Sequence, residues 1–439
     1  MKNFTRIFAA ALLAGLFTTA SAQQKEYLDG IFMLNEGWFG TETGSVNFLN
    51  NRGEWEYRVG TTQEGEPMQL GATGCFATIN DGKMYIVSKK NSMKDASVVD
   101  PSLTVCDAKT MTVLAQVNNI ATEGNAVAAD GRSFLAVEEL GKAYVSTTNG
   151  VYTFDLKTNT VGQLVEGTDG LTNNQAGNML YRDGKLYAVD NSRGLLIIDT
   201  GTDKLVKALH DADANNTYAS IVEAKDGSVW LSVANATTGD PVQKLVKFNP
   251  ADETLTDVTL PADVKAPGNS IFAWNPDCFT ASAVENALFW QGVTGDWGAS
   301  QAIYRYDIDA NECKLFIDFT QDEVQPYMYG AACRVNPETG YLYLGIIKGS
   351  PWGDESELRI YSRDAALKAS YPMEKHYWYP EMPVFSLRGY NNGIASLENR
   401  GSVSEVARYT VDGKRIARPQ KGLNIVKYSD GTVKKILVK

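Results

Sequence analysis

The segment DGKMYIVSKK, residues 81–90, reads as an Asp-Gly turn followed by a strand, with Met84 and Ile86 on one side and Tyr85 and Val87 on the other. Alone it would specify one hairpin. The pattern returns as GKAYVSTTN from Gly141, GKLYAVDNS from Gly184, GSVWLSVAN from Gly227 and GYLYLGIIK from Gly340. GIFMLNEG from Gly30 and NALFWQGVT from Asn286 are weaker copies. The equivalent positions are then 33, 85, 144, 187, 230, 289 and 343, separated by 43 to 59 residues. A unit of this size cannot bury its apolar face alone, so its neighbours must stack on it, which is the logic of a β-propeller.

The remaining strands of each unit lie between the copies. SLTVCDAKTMTVLAQV, GVYTFDLKTNTVGQLV and GLLIIDTGTDKLVKAL each alternate with period two around a polar turn. A strand ahead of each repeated Gly, such as GCFATIN (74–80) or AGNMLYR (176–182), completes a four-stranded unit. The expected fold is all-β: a seven-bladed β-propeller over residues 27–392 with a small C-terminal β appendage over 393–439. The first unit lacks an innermost strand. Pro383–Arg388, after the last unit, is expected to supply it, locking the circle and removing exposed edges. In the appendage, VARYTV, LNIVKY and VKKILVK are joined by Asp412-Gly413, Lys421-Gly422 and Asp430-Gly431.

Composition narrows the function classes. A net charge of −11 argues against a nucleic-acid partner, because phosphate binding needs clustered Lys and Arg. His210 and His376 are the only histidines, too few for a His-rich metal site. The five cysteines are odd in number and have no CxxC spacing, so they read as small buried hydrophobes. Asp211-Ala-Asp213-Ala-Asn215 and Asp307-Ile-Asp309-Ala-Asn311 lack the Gly and distant Glu of a calcium loop and read as turns. Neither a phosphate-binding Gly motif nor GxSxG occurs. No catalytic, metal or cofactor residue is therefore assigned. At the N-terminus, Lys2 and Arg6, the apolar IFAAALLAGLF and Ala20-Ser21-Ala22 follow the plan of a signal peptide over 1–22. Export is expected, to the cell surface, the outer membrane or the medium, without a transmembrane span.

In a propeller, the loops after the second strand and before the first strand of each blade share one face, and binding sites gather there. The candidate ligand-binding residues on that face are Asn35, Glu36, Trp38, Lys89, Asn91, Thr148, Asn174, Asp190, Asn191, Asn235, Trp297, Trp352, Tyr377 and Trp378. Tyr329 and Tyr379 fall on the same loops. Large rings over amides and hydroxyls suit a small-molecule ligand. Tyr85, Tyr144, Tyr187, Trp230 and Tyr343, in contrast, are expected to fill gaps between blades. Among channel-mouth carboxylates only Glu36 and Asp190 suit proton transfer, and no catalytic residue type recurs around the ring. Binding is thus preferred over catalysis.

The opening GIFMLNEGWFGTETGSVNFLN, with the DGKxYxV repeat, resembles a family of exported Bacteroidetes seven-bladed propellers and, more distantly, quinoprotein-like propellers. Its best-understood relatives capture cobalamin at the cell surface and pass it to an outer-membrane transporter. The resemblance implies a non-catalytic ligand-binding propeller with a corrinoid ligand and a transporter partner. The chain departs from those relatives in lacking a Cys after the apolar N-terminal segment, where a lipid anchor would attach. Its tail, with Asp412-Gly413-Lys414-Arg415, GLNIVKY and the terminal VKKILVK, resembles the sorting domains of the type IX secretion route. The alternatives are a propeller enzyme of the lyase or lactone-hydrolase type and a protein- or glycan-adhesion module.

Overall fold

The computed structural model describes residues 25–38, 41–90, 100–121, 130–169, 176–267, 279–293, 300–386, 405–416, 418–428 and 433–438. Among these, seven antiparallel sheets follow one another between Gly30 and Phe385. The second is representative: Ala72–Asn80, Lys83–Lys90, Leu103–Asp107 and Val113–Val117 pair in chain order. The first strands of the third to sixth sheets are Gly131–Val137, Ala176–Arg182, Asn216–Glu223 and Thr280–Ala281. In the last sheet the first strand is split into Pro326–Tyr327 and Cys333–Val335, both paired with Leu342–Lys348. Each first strand packs on that of the next sheet, and the last sheet packs on the first, so the sheets close a ring of blades around a channel.

Closure uses the two ends of the repeat region. Pro380–Phe385 pairs antiparallel with Gly30–Asn35, setting Ile31 opposite Phe385 and Met33 opposite Pro383. The closing strand thus begins three residues before the expected Pro383–Arg388. Ser386 ends it: its hydroxyl accepts from Gly30 N at 3.2 Å and donates to Leu28 O at 2.7 Å.

The weak first copy of the repeat shifts by one residue. Gly30 pairs with Asn50 as Lys83 pairs with Asp107, so Phe32, not Met33, is the counterpart of Tyr85. Phe32 packs toward Met84 and Ile86 of the second blade, while Met33 faces Tyr343 of the last. The other repeat aromatics behave as expected and bridge blades. Tyr85 stacks on Phe134 at 4.3 Å, Trp230 meets Tyr306 edge-on at 5.3 Å, and Tyr343 meets Phe385 edge-on at 5.1 Å.

The lysine of the GK pair is a second bridge. Lys83 donates to Leu156 O at 2.7 Å and to Asn159 Oδ1 at 3.2 Å in the third blade. Lys142 donates to Thr200 O and Asp203 Oδ1 in the fourth, each at 2.7 Å, and Lys185 to Glu253 Oε1 in the fifth at 2.9 Å. All three receivers sit in the outer hairpin turn with positive φ: 55° at Asn159, 52° at Asp203 and 60° at Glu253. An Asp before the turn organises it, as when Asp155 Oδ1 accepts from Lys157 N at 2.9 Å and Thr158 N at 2.7 Å.

The C-terminal segments form a separate four-stranded sheet in the order Arg415–Ile416, Glu405–Thr410, Gly422–Tyr428, Val433–Val438, using the three strands read from the sequence. Cys75, Cys106, Cys313 and Cys333 are free thiols, and Cys278 lies outside the described residues. No helix among the described residues is long and apolar enough to cross a membrane.

Two substitutions test the ring. Lys142→Met removes the donor to Asp203 and should cost about 1–2 kcal/mol in chemical denaturation. Gly345→Ala would place a Cβ 2.3 Å from Pro380 O, at the seam between last and first blades. It should cost more, about 2–4 kcal/mol; equal losses in the two variants would contradict the seam's importance.

Candidate functional site

The second strand of the first blade delivers residues 35–38 to the channel mouth, and the chain entering the closing strand passes the same place at 376–379. Glu36 N donates to Tyr379 O at 3.0 Å, and Asn35 Nδ2 donates to Tyr377 O at 3.0 Å and Trp378 O at 3.3 Å. Asn35 Oδ1 accepts from Asn47 Nδ2 at 2.9 Å. These ties hold His376 at φ 69° and Tyr379 at φ 50°, left-handed conformations that bulky side chains avoid at a cost of about 1–2 kcal/mol each.

The ties gather aromatic rings. Trp38 lies 4.3 Å from Trp378 and 6.3 Å from Tyr379, nearly parallel to the latter. Tyr379 also meets Tyr329 at 4.8 Å and Trp352 edge-on at 6.4 Å. Trp352 is 47% exposed, whereas Tyr379 is buried.

Charged groups are buried beside these rings. Glu36 is 4% exposed and Lys89, at the equivalent position of the second blade, 7%. The Tyr329 side chain lies beside Glu36 and favours its charged form. Arg132, on the first strand of the third blade, is fully buried; Nη1 donates to Gly131 O at 3.2 Å, and Nη2 lies 3.8 Å from Asp130 Oδ2. Thr148 pins Asp130 by accepting from its N at 2.8 Å and donating from its own N to Asp130 O at 3.0 Å. Glu381, buried on the closing strand, packs on Gly330, where a Cβ would stand 2.6 Å from the Glu381 side chain.

Burial reshapes their acidity. It lifts Glu36 to about 7, against the Tyr329 side chain and the Lys89 charge. It lowers Lys89 to about 8, against Glu36; the Arg132 charge pushes the same way as burial, and Asp130 opposes. Burial and the Glu36 charge raise both Tyr329 and Tyr379. The mouth therefore holds an acid and a base that both change charge near neutrality, walled by rings.

Of the residues singled out from sequence, Asn35, Glu36, Trp38, Lys89, Thr148, Trp352 and Trp378 gather here, two of them in supporting roles. Asn35 is consumed by backbone ties, and Thr148 acts through Asp130. Tyr377 stacks on Tyr57 at 4.2 Å, with Arg58 5.7 Å from its ring centre. Asp190 closes its own turn, accepting from Ser192 N at 3.0 Å and Arg193 N at 2.9 Å and pairing with the Arg193 guanidinium at 3.1 Å. Asn235 caps a turn through Thr237 N and Thr238 N, each at 2.9 Å, and Asn191 is exposed. Asn91, Asn174 and Trp297 lie outside the described residues. Sequence reasoning missed Asp130, Arg132 and Glu381. For Arg132 and Glu381 the available signal was a charged side chain inside first strands, GRSFLAV and PEMPVF, that otherwise read as core; Asp130 just precedes the first of these.

The two acidic stretches behave as turns. Asp211 pairs with Lys244 at 2.8 Å, and Asp307 with Arg305 at 2.9 Å. Among the described residues no group of three His, Cys, Asp or Glu side chains is placed to hold a metal ion. The other end of the channel carries an open recess of about 410 Å³ with a mixed polar and apolar lining, including Thr78, Asp81, Arg334, Met382 and Phe385.

The raised Glu36 has a stability consequence. Between pH 4.5, its ordinary value, and about 7 the folded state binds a proton that the unfolded state releases, so this group's contribution falls as pH rises. Glu36→Gln removes that slope. Relative to wild type, the variant should gain about 1–3 kcal/mol between pH 5 and 7.5 in urea titrations. A pH-independent difference would show that Glu36 is not buried as described.

No curated protein matches the chain. Among solved structures it is similar to the calcium-binding protein regucalcin from Agrobacterium tumefaciens, at 15% identity over 68% of this chain and 81% of that one, with a TM-score of 0.38. It is similar to a luciferin-regenerating enzyme at 12% identity over 55% and 75%, with a TM-score of 0.37. The computationally designed Ika8 protein matches at 10% identity over 94% and 100%, with a TM-score of 0.44. Residues 29–386, from the start of the first blade through the closing strand, match the family described as "Domain of unknown function (DUF5074)", and the chain belongs to that family.

Proposed function

We propose that this protein is a non-catalytic ligand-binding propeller that captures a small molecule at the channel mouth, with a corrinoid as the leading ligand. The observation that carries the reading is the set of Trp38, Trp352, Trp378, Tyr329 and Tyr379 rings beside buried Glu36, which has buried Lys89 as its charge partner. Rings supply contact area at little entropic cost, and buried polar groups orient what lies on them. A corrin macrocycle offers an apolar plane with amides at its rim, which is complementary to that combination. The signal-peptide plan and the sorting-like tail support placement at the cell surface or in the medium, and an outer-membrane transporter would be the natural recipient of the ligand.

One observation favours a second reading. An acid poised near 7 beside a base poised near 8 is the arrangement used for proton transfer, so Glu36 and Lys89 would be the acid–base pair of a lyase or lactone hydrolase.

Calorimetric and absorbance titration of the purified protein with cyanocobalamin separates the two. Saturable one-to-one binding is expected, weakened about 10- to 100-fold by Trp38→Ala or Trp378→Ala. No binding at high micromolar cyanocobalamin would overturn the corrinoid assignment. Turnover of a lactone panel that is abolished by Glu36→Gln would establish the enzyme instead.

A further inference from the structure

Glu36 uses only part of its hydrogen-bonding capacity within the protein. The carboxyl group is buried beside Tyr329, and its Oε2 has no hydrogen-bond partner among the described residues. A buried polar atom left in that state costs about 1–3 kcal/mol, and folds keep such atoms mainly where function uses them. Oε2 belongs to the residue whose backbone is tied to Tyr379, beside the rings of Tyr329, Tyr379 and Trp38.

The surroundings decide what would satisfy it. Glu36, Asp130 and Glu381 outnumber Lys89 and Arg132, so the fully ionised cluster is net negative and disfavours a ligand anion. The neighbouring rings favour a flat group. A carboxamide is flat, neutral and carries N–H donors. We propose that Glu36 is the specificity-determining acceptor of the mouth: its Oε2 receives an N–H of a ligand carboxamide, so the site selects amide-bearing over carboxylate-bearing ligands. This inference rests on the ligand-capture reading and adds to it the identity of one ligand group and the residue that reads it.

The test uses the intact protein, cyanocobalamin and its monocarboxylates, in which one peripheral propionamide has become a carboxylate. At pH 8 one of the three monocarboxylates should bind wild type about 10- to 100-fold more weakly than cyanocobalamin, because two carboxylates then face each other. Glu36→Gln, whose amide can donate to the carboxylate, should remove most of that penalty. If all three bind wild type as tightly as the parent, Glu36 reads no amide and the inference fails while ligand capture stands. That comparison needs no variant, so it decides even if the variant folds poorly. A penalty that persists in Glu36→Gln overturns the assignment of the acceptor. Absence of cyanocobalamin binding by wild type overturns ligand capture and this inference together.

Discussion

The pairing of Pro380–Phe385 with Gly30–Asn35 is the contact on which the rest of the structure depends. A ring of sheets has no stabilising end caps; left open, it would expose the facing apolar sides of its first and last blades and the free edge of the first sheet. Closing it joins segments about 350 residues apart, an entropic cost that grows only slowly with loop length and is offset by burying both faces. The same seam creates the candidate site. Residues 35–38 and 376–379 meet only because the closing strand aligns beside the first, and Tyr329 arrives on the adjoining last blade. The mouth is therefore not a set of loops added to a finished ring. Its geometry is a product of closure.

Between the other blades the burden is shared by two devices placed two residues apart on the second strand. The aromatic at positions such as 85, 144 and 187 fills space, and the preceding lysine at 83, 142 and 185 reaches a polar atom in the next blade's outer turn. Tyr144 uses both at once, since its hydroxyl donates to Asp203 at 2.6 Å beside Lys142. The receiving turns need positive φ, which Asn and Asp tolerate better than most residues. Repeat lysine and turn residue thus form one unit across an interface, although they stand some 60 to 76 residues apart in the chain.

Most of the fold was legible because a strand advertises itself locally. Period-two alternation and Asp-Gly turns identify each unit without knowledge of its neighbours. The failures came where local pattern is silent about direction. GIFMLNEG offers Ile31, Phe32 and Met33 in a row, and only pairing with Asn50 and Phe385 shows which of them faces the second blade. At the site, large rings were readable because Trp in a loop has few structural uses. Asn35 and Asp190 were readable as polar groups near the mouth, but nothing in the sequence tells whether an amide or carboxylate is spent on its own backbone. Arg132 and Glu381 escaped because alternation treats an innermost strand as core, whereas in a ring its inner side faces a channel.

Placing an acidic cluster at the seam sets stability against function. The seam closes the ring, yet it carries two left-handed aromatic residues and a buried glutamate, with fully buried Arg132 close by. An apolar replacement of the same volume would relieve the desolvation of each charge and would often be more stable. Retaining Glu36 at the seam and Lys89 on the neighbouring second blade, with their charge states drawn toward neutrality, is intelligible if the interior of the mouth must remain polar for something that enters it. The cross-ties from Asn35 and Glu36 N then have a double purpose. They hold the strained 376–379 segment in place, and they keep the polar interior preorganised, so that a ligand would meet its partners without first having to assemble them.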